Sequence, residues 1–214
     1  MAEAGTLKRY LIGQFGRPSG PLGWLAGRIM AARGSNRLRN RWTVDLMELQ
    51  PGHLVLEIGY GPGLALAEVC ARLPGGRAVG LDHSPEMHRM AAARNRAAVN
   101  SGLLTLRTGS AEAPTTFDDP VLAGPFNRIF AVNVAMFWHD PVAVLQRLAG
   151  LLAAGGGIYL TFQPRSGERT DAAALTVAET LSERMCAAGL SAVRIERLTA
   201  LSPMAVCVIG SLSR

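Results

Sequence analysis

Lysine is nearly missing from this chain. Lys8 is the single lysine, so almost all of the 22 basic residues are Arg. The formal charge of +6 therefore goes with a composition rich in Arg, Ala, Gly and Pro, a bias that GC-rich codon usage also produces. It is weak ground for an anionic partner. Cysteine is scarce too. Cys70, Cys186 and Cys207 are odd in number, far apart and set in apolar stretches, which excludes a disulfide framework and predicts buried free thiols. There is no CxxC or HxxxH spacing. His83 and His88 stand five apart and do not share a helix face, so a metal centre has no support. No apolar run approaches the roughly 18 residues of a membrane-spanning helix. Residues 1–11 lack the continuous apolar core of a secretion signal, so a cytoplasmic location is the expectation.

What is present is a globular composition, 49% apolar and 18% charged over 214 residues, enough for one domain with a substantial core. Residues 1–50 carry no strand signal. Gly13, Gly16, Pro18, Gly20, Pro21 and Gly23 interrupt them, and short helices are expected at 24–30 and 36–49. In the second, Leu38, Trp42, Asp45, Leu46 and Leu49 recur at helical spacing. This segment reads as an N-terminal helical lid over a domain spanning 51–214. Tyr10, Phe15, Trp24, Met30 and Trp42 are available to line a pocket beneath it, with Arg17 among hinge glycines. Arg28, Arg33, Arg37, Arg39 and Arg41 cluster here, either as a solvated helix face or as a contact for an anionic substrate or nucleic acid. The apolar residues of these helices could also bury themselves between two copies of the chain, so a homodimer stays open.

From residue 53 onward strands and helices alternate. Strands are expected at 54–58, 78–81, 103–107, 126–132, 158–162, 192–197 and 205–210. Helices are expected at 64–73, 85–100, 141–152 and 171–188. Ser84-Pro85-Glu86 carries the signature of a helix start. Alternation of this kind predicts a mainly parallel sheet covered on both faces. The last two strands are joined by 198–204, too short for a crossover helix, so they should pair antiparallel. Loop 113–125 is the longest irregular stretch and is expected to be mobile.

The strongest local signal is Val55-Leu56-Glu57-Ile58-Gly59-Tyr60-Gly61-Pro62-Gly63, a strand running into three alternating glycines and then a helix. Ligands of open α/β sheets bind beside such loops at the carboxyl ends of strands. The dinucleotide fingerprint is GxGxxG, but the spacing here is GxGxG, with Leu64 where a glycine would stand. Glu57, two residues before the first glycine, is awkward beside a diphosphate and suits a cationic ligand. Asp82 ends the next strand, where an acid can accept both hydroxyls of a ribose.

With these features the chain closely resembles the class I S-adenosylmethionine-dependent methyltransferases, by motif over about residues 50–163. The resemblance implies a Rossmann-like, doubly wound seven-strand sheet, mostly parallel with an antiparallel last strand and helices on both faces. It implies S-adenosylmethionine as cofactor, with S-adenosylhomocysteine as product. The stretch from Glu57 to Gly63 is similar to the family's first motif, so that Glu57, Gly59, Tyr60, Gly61 and Gly63 would cradle the methionine part. Asp82 would hold the ribose and His83 would pack on the adenine ring. Gly109-Ser110-Ala111-Glu112 resembles the element after the third strand, which would bring Ser110, Ala111 and Glu112 to the adenine. Asn133 would border the transferred methyl. Leu151-Leu152-Ala153-Ala154-Gly155-Gly156-Gly157 is similar to the family's Leu-x-Pro-Gly-Gly turn, with Ala154 where proline is usual.

The acceptor is less legible. Asn133-Val134-Ala135-Met136 is not the Asn/Asp-Pro-Pro-aromatic tetrad of amino-group methylation of nucleic-acid bases, and no cysteine falls where cytosine C5 chemistry would need one. The expected partner is a small, flat or lipophilic molecule methylated on O, N or S. An RNA substrate and a non-catalytic cofactor-binding regulator are the alternatives. Met136-Phe137-Trp138-His139-Asp140 offers an apolar wall, with Met136 and Trp138 as pocket residues. His139 could serve as the base, or could merely belong to the cap of the helix that follows.

Overall fold

The computed structural model describes residues 34–212. The elements are α1 (Gly34–Leu46), β1 (Leu54–Ile58), α2 (Leu64–Ala71), β2 (Arg77–Asp82), α3 (Pro85–Arg94), α4 (Arg96–Asn100), β3 (Leu104–Thr108), β4 (Phe126–Val132), α5 (Pro141–Gly150), β5 (Leu152–Phe162), α6 (Asp171–Ala187), β6 (Ser191–Leu198) and β7 (Ala205–Ser211). The seven strands form one sheet in the order β3-β2-β1-β4-β5-β7-β6. Neighbours from β3 to β5 pair parallel, and β7 runs antiparallel to both β5 and β6. The order reverses between β1 and β4, which opens the crevice where ligands of such sheets sit.

The pleat sorts side chains into two cores. Leu56 and Ile58 of β1 face α5 and α6, joining Ile129, Leu145, Leu148, Ile158, Leu181 and Met185. Val55 faces the other way, with Val44 and Met47 below α1, Leu66 and Val69 of α2, Met87 and Phe130. Because both faces are covered, the central strands carry buried apolar residues at successive positions, Val55-Leu56 in β1 and Ile129-Phe130-Ala131 in β4, rather than alternating ones. Local signals set the helix starts. Ser84 accepts the Met87 N–H at 3.3 Å with Pro85 following it, Asp140 accepts the Ala143 N–H at 3.0 Å, and Thr170 accepts the Ala173 N–H at 3.1 Å.

The structure departs from the sequence reading in four places. The single helix expected over 85–100 is two helices, broken at Asn95, whose amide donates to the Gly63 and Ala91 carbonyls at 3.0 Å each. That contact ties the break to the glycine loop. Second, α1 is no appendage. Val44 and Met47 are fully buried, and the Thr43 hydroxyl lies 2.8 Å from that of Thr161 on β5, so residues 34–47 belong to the core layer. The rest of the expected lid, with Tyr10, Phe15, Arg17, Trp24, Arg28, Met30 and Arg33, lies outside the described residues. Third, Leu38 and Asp45 of the expected inward face are exposed, while Asn36, Arg39, Asn40 and Thr43 point in. The buried face of α1 is polar because it packs over the polar carboxyl edge of β5. Fourth, Cys186 is exposed, whereas Cys207 is buried and Cys70 half-buried. Loop 113–125 contains a 3-10 turn, Pro114–Asp118, and is anchored by fully buried Leu122 and by the Arg107–Asp119 ion pair at 2.6 Å. Among the described residues no helix is long and apolar enough to cross a membrane.

Gly80 shows how tightly one core is filled. A Cβ there would lie 2.6 Å from Cδ1 of Tyr60 and 2.9 Å from Leu66. Gly80→Ala, harmless in an ordinary strand, should cost about 1–3 kcal/mol through overpacking. Urea unfolding should show a lowered midpoint; an unchanged midpoint would contradict this packing.

Candidate active site

The glycine loop follows β1 in a conformation that only glycine adopts easily. Gly59, Gly61 and Gly63 have φ of 71°, 50° and 74°. Gly59 donates to the Leu81 carbonyl at 2.7 Å and Gly63 to that of Tyr60 at 2.9 Å, which curls the loop over the ends of β1 and β2. A Cβ on Gly59 would strike Val134, whereas one on Gly61 would meet nothing within 4 Å. The loop is therefore wedged on one side and open at its crown, where a ligand can approach the backbone.

Beneath the loop sits Glu57, 3% exposed. Its Oε2 has no hydrogen-bond partner, and no cation faces it among the described residues. Burial first, and then the charge of Asp82, push its pKa well above the usual carboxylate range, against a backbone hydrogen bond from Leu66. Asp82, also buried, accepts the Gly61 and Ser84 N–H groups at 2.8 Å each, so it fixes the loop and leaves lone pairs for a ligand. Burial raises its pKa too, opposed by those hydrogen bonds. His83 is half-exposed beside it, with Nδ1 3.9 Å from Asp82 Oδ1. Two crowded carboxylates would repel a diphosphate. A ligand with a cationic amino group and sulfonium, and a ribose to occupy Asp82, fits them.

Other site residues expected from the sequence hold positions that the motif alone does not reveal. Tyr60 is buried at 3%, its hydroxyl donating to the Arg107 carbonyl at 3.3 Å and lying 3.2 Å from His88 Nδ1, so its side chain belongs to the core rather than to the cradle. His88 is accordingly half-buried against the Tyr60 and Thr108 hydroxyls, not a plain helix-surface residue. Ser110 accepts the Glu112 N–H at 3.2 Å, and the carbonyl of buried Ala111 accepts from Arg147 at 2.9 Å. Glu112 and His139, far apart in sequence, meet. The Glu112 carboxylate accepts the His139 backbone N–H at 2.6 Å and lies 3.1 Å from its Nδ1. That backbone bond is the main reason why the Glu112 pKa lies below the usual range. Asp140, not His139, caps α5.

Asn133 also differs in detail from expectation. It adopts φ 56°, and both ends of its side chain are engaged by the Gln163 backbone, Nδ2 donating at 3.0 Å and Oδ1 accepting at 2.8 Å. It clamps β4 to β5, leaving one N–H and one lone pair of its amide unused by that clamp. In the loop that follows, Trp138 is turned into the core at 9% exposure, while Met136 and Phe137 are open at 37% and 54%. The 3-10 turn Ala135–Phe137 accompanies this, so Phe137 rather than Trp138 is exposed beside Met136. Gln163 and Asn95 were not expected. Both are buried amides joining segments distant in sequence, which no local motif announces.

Comparison with known proteins agrees with this geometry. The family model described as a methyltransferase domain matches residues 56–158, from β1 to the start of the main run of β5. An uncharacterized methyltransferase of Bacillus subtilis, YdaC, is 28% identical over 183 residues, covering 86% of this chain and 95% of its own length. The nocamycin O-methyltransferase of Saccharothrix syringae is 34% identical over 122 residues, 56% of this chain but only 41% of that protein. Among solved structures, the protein in complex with the Haloferax volcanii Trm112 methyltransferase activator superposes with a TM-score of 0.69 at 19% identity, over 89% of this chain and 94% of that one. Strand order, glycine loop and sequence relatives converge: residues 56–158 match a methyltransferase domain, and the sheet that carries them has the fold of the S-adenosylmethionine-dependent methyltransferases to which it is similar.

Proposed function

We propose that this methyltransferase binds S-adenosylmethionine across the ends of β1 and β2 and methylates an O, N or S atom of a small, flat or lipophilic molecule held over β4 and β5. The observation that carries the cofactor reading is the partnerless Oε2 of buried Glu57 beneath the open crown of the glycine loop. A carboxylate is not retained there for stability, since burying it without a counter-charge is unfavourable. In this reading the Glu57 charge favours the cofactor's cationic end, Asp82 receives the ribose hydroxyls, and the segment Ser110–Glu112 flanks the adenine with His83 on its other side. The bound cofactor supplies an electrophilic methyl. The protein's part is to hold a nucleophile in line with it, which can lower the barrier by roughly 7–11 kcal/mol. Where the acceptor must lose a proton, His139 is the nearest titratable group on the wall, oriented by Glu112.

A small-molecule acceptor is supported by the apolar wall of Met136 and Phe137 and by the small-molecule name of the Saccharothrix relative. An RNA substrate is less well supported, because the buried Arg39 removes one member of the arginine cluster from the surface.

Three outcomes are expected. Calorimetric titration with S-adenosylhomocysteine should show micromolar binding, lost in Asp82→Ala and absent for NADH; no binding by folded protein would sink the cofactor assignment. Glu57→Gln should weaken that binding and yet raise the stability of the ligand-free protein. The sign follows from linkage. The raised folded-state pKa means that the native protein keeps a proton which the unfolded chain releases above about pH 4.3. Wild-type stability is therefore lost as pH rises from there towards the folded-state value. Urea unfolding at pH 5 and pH 8 should give a difference between wild type and variant that grows with pH, to roughly 1 kcal/mol or more. A pH-independent difference would mean that Glu57 is ionised and stabilised in the free protein. Third, on an acceptor found by screening phenols, quinolones and thiols, His139→Ala should reduce turnover by about 100-fold while leaving cofactor affinity intact. Unchanged turnover would remove His139 from the chemistry.

A further inference from the structure

A second opening lies among the helices beside the glycine loop. It is a cavity of about 220 Å³ lined by Arg37 and Asn40 of α1, Leu64, Ala67 and Glu68 of α2, and Arg94 at the end of α3. Neither the two buried acids nor the Met136–Phe137 wall lines it, so it is separate from the site described above. Its cations are unspent. Arg37 forms no ion pair among the described residues. Arg94 uses only its Nε, which donates to the Pro62 carbonyl at 2.8 Å, and its two Nη groups are left over. The acid of the same wall, Glu68, is already answered by Arg72, whose Nη1 lies 2.5 Å from its Oε2.

Asn40 is the more telling group. It is 8% exposed, yet its side-chain amide makes no hydrogen bond among the described residues. Its polar atoms are not among those sealed from solvent, so they open onto the cavity they line. A buried amide without a protein partner is satisfied by water or by a ligand. The N-terminus of α2 adds its partial positive charge, since its N-cap, Gly63, offers no side chain to offset it. Two guanidinium groups, an amide donor and a helix N-terminus thus face one space, and the field there favours an anion. Forks carried by two different helices donate from two directions. That suits the tetrahedral oxygens of a phosphate better than a single planar carboxylate. Pockets for drug-sized ligands run to roughly 300–1,000 Å³, so this smaller one takes a phosphate with a body of a few carbon atoms rather than a strand with successive phosphates.

Arg94 also connects the cavity to the glycine loop. Pro62 stands between Gly61, held by Asp82, and Gly63, held by Asn95. Arg94 and Asn95 are consecutive, so the end of α3 carries both ties to this half of the loop. An anion on the Nη groups of Arg94 keeps that side chain across the loop and favours the conformation in which the crown is open to a ligand.

We propose that this cavity binds the phosphate monoester group of a small molecule through Arg37, Asn40 and Arg94, and that its occupancy tightens cofactor binding. The coupling rests on the cofactor reading given above; the phosphate site does not.

The test uses the full chain in phosphate-free buffer. Inorganic phosphate, glycerol phosphate and phenyl phosphate are titrated by calorimetry against glycerol and phenol. At least one phosphate should bind and neither alcohol should. Arg37→Gln should weaken that phosphate by about 10-fold or more, the loss of one charge-assisted contact. Arg96→Gln, at an exposed arginine outside the cavity, should leave it within about twofold. Arg94→Gln replaces Arg37→Gln if the latter does not fold. No binding by any of the three phosphates would overturn the proposal. So would equal weakening by Arg37→Gln and Arg96→Gln, the mark of a diffuse basic surface of the kind nucleic acid uses. S-adenosylhomocysteine is then titrated alone and with the saturating phosphate. Its affinity should rise about 5-fold in wild type and stay unchanged in Arg37→Gln, as reciprocal linkage requires. If S-adenosylhomocysteine does not bind alone, the cofactor reading fails, and the phosphate titrations still decide the site. If it binds equally with and without the phosphate, the coupling is overturned.

Discussion

A carboxylate sealed beneath a loop, with one oxygen unpartnered and no cation in reach among the described residues, is costly for any fold to keep. Glu57 occupies that position because β1 is covered on both faces: the same pleat that sends Leu56 and Ile58 into one core sends Val55 and Glu57 towards the other. The Gly59–Gly63 loop then closes over it, tied down by Leu81, by Asp82 and, through Gly63, by Asn95. Loop, acid and helix break form one unit. The desolvation of the acid is carried by the buried sheet around it.

Much of the fold was legible because its signals are local or periodic. The strand runs, Ser84-Pro85 at a helix start and the short 198–204 connection are each read within a few residues, and the mostly parallel seven-strand sheet with a reversed last strand follows from strand–helix alternation together with the family resemblance. The acid and glycine spacing was legible for the same reason. What escaped depends on distant partners. Asn95 splits a helix because Gly63 lies against it, 32 residues away in the chain. Glu112 and His139 meet only because the turns after β3 and β4 are adjacent in space. Tyr60 looks like a site residue by its place between glycines, but the space left by Gly80 takes its ring into the core.

The most instructive departure is α1. Its apolar period points to Leu38, Trp42, Leu46 and Leu49, yet Asn36, Arg39, Asn40 and Thr43 are the buried residues of its first turns. Hydrophobic periodicity identifies an inward face only where the neighbouring surface is apolar. Below α1 the surface changes along the helix. Val44 and Met47 lie over the sheet interior, whereas Thr43 and Arg39 meet Thr161 and Gln163 at the carboxyl end of β5. A helix that crosses from a core to a functional edge must change character along one face, and a moment averaged over its length cannot report that.

The carboxyl edge is divided by charge as a consequence. Two buried acids, Glu57 and Asp82, gather at β1 and β2, and guanidinium groups gather over β5, with the Asn133–Gln163 clamp between them. Were the two sets in contact, they would neutralise each other and stabilise the free protein. The sheet keeps Glu57 and Arg39 on opposite sides of the β1–β4 crevice, so neither neutralises the other. That separation costs the free protein stability.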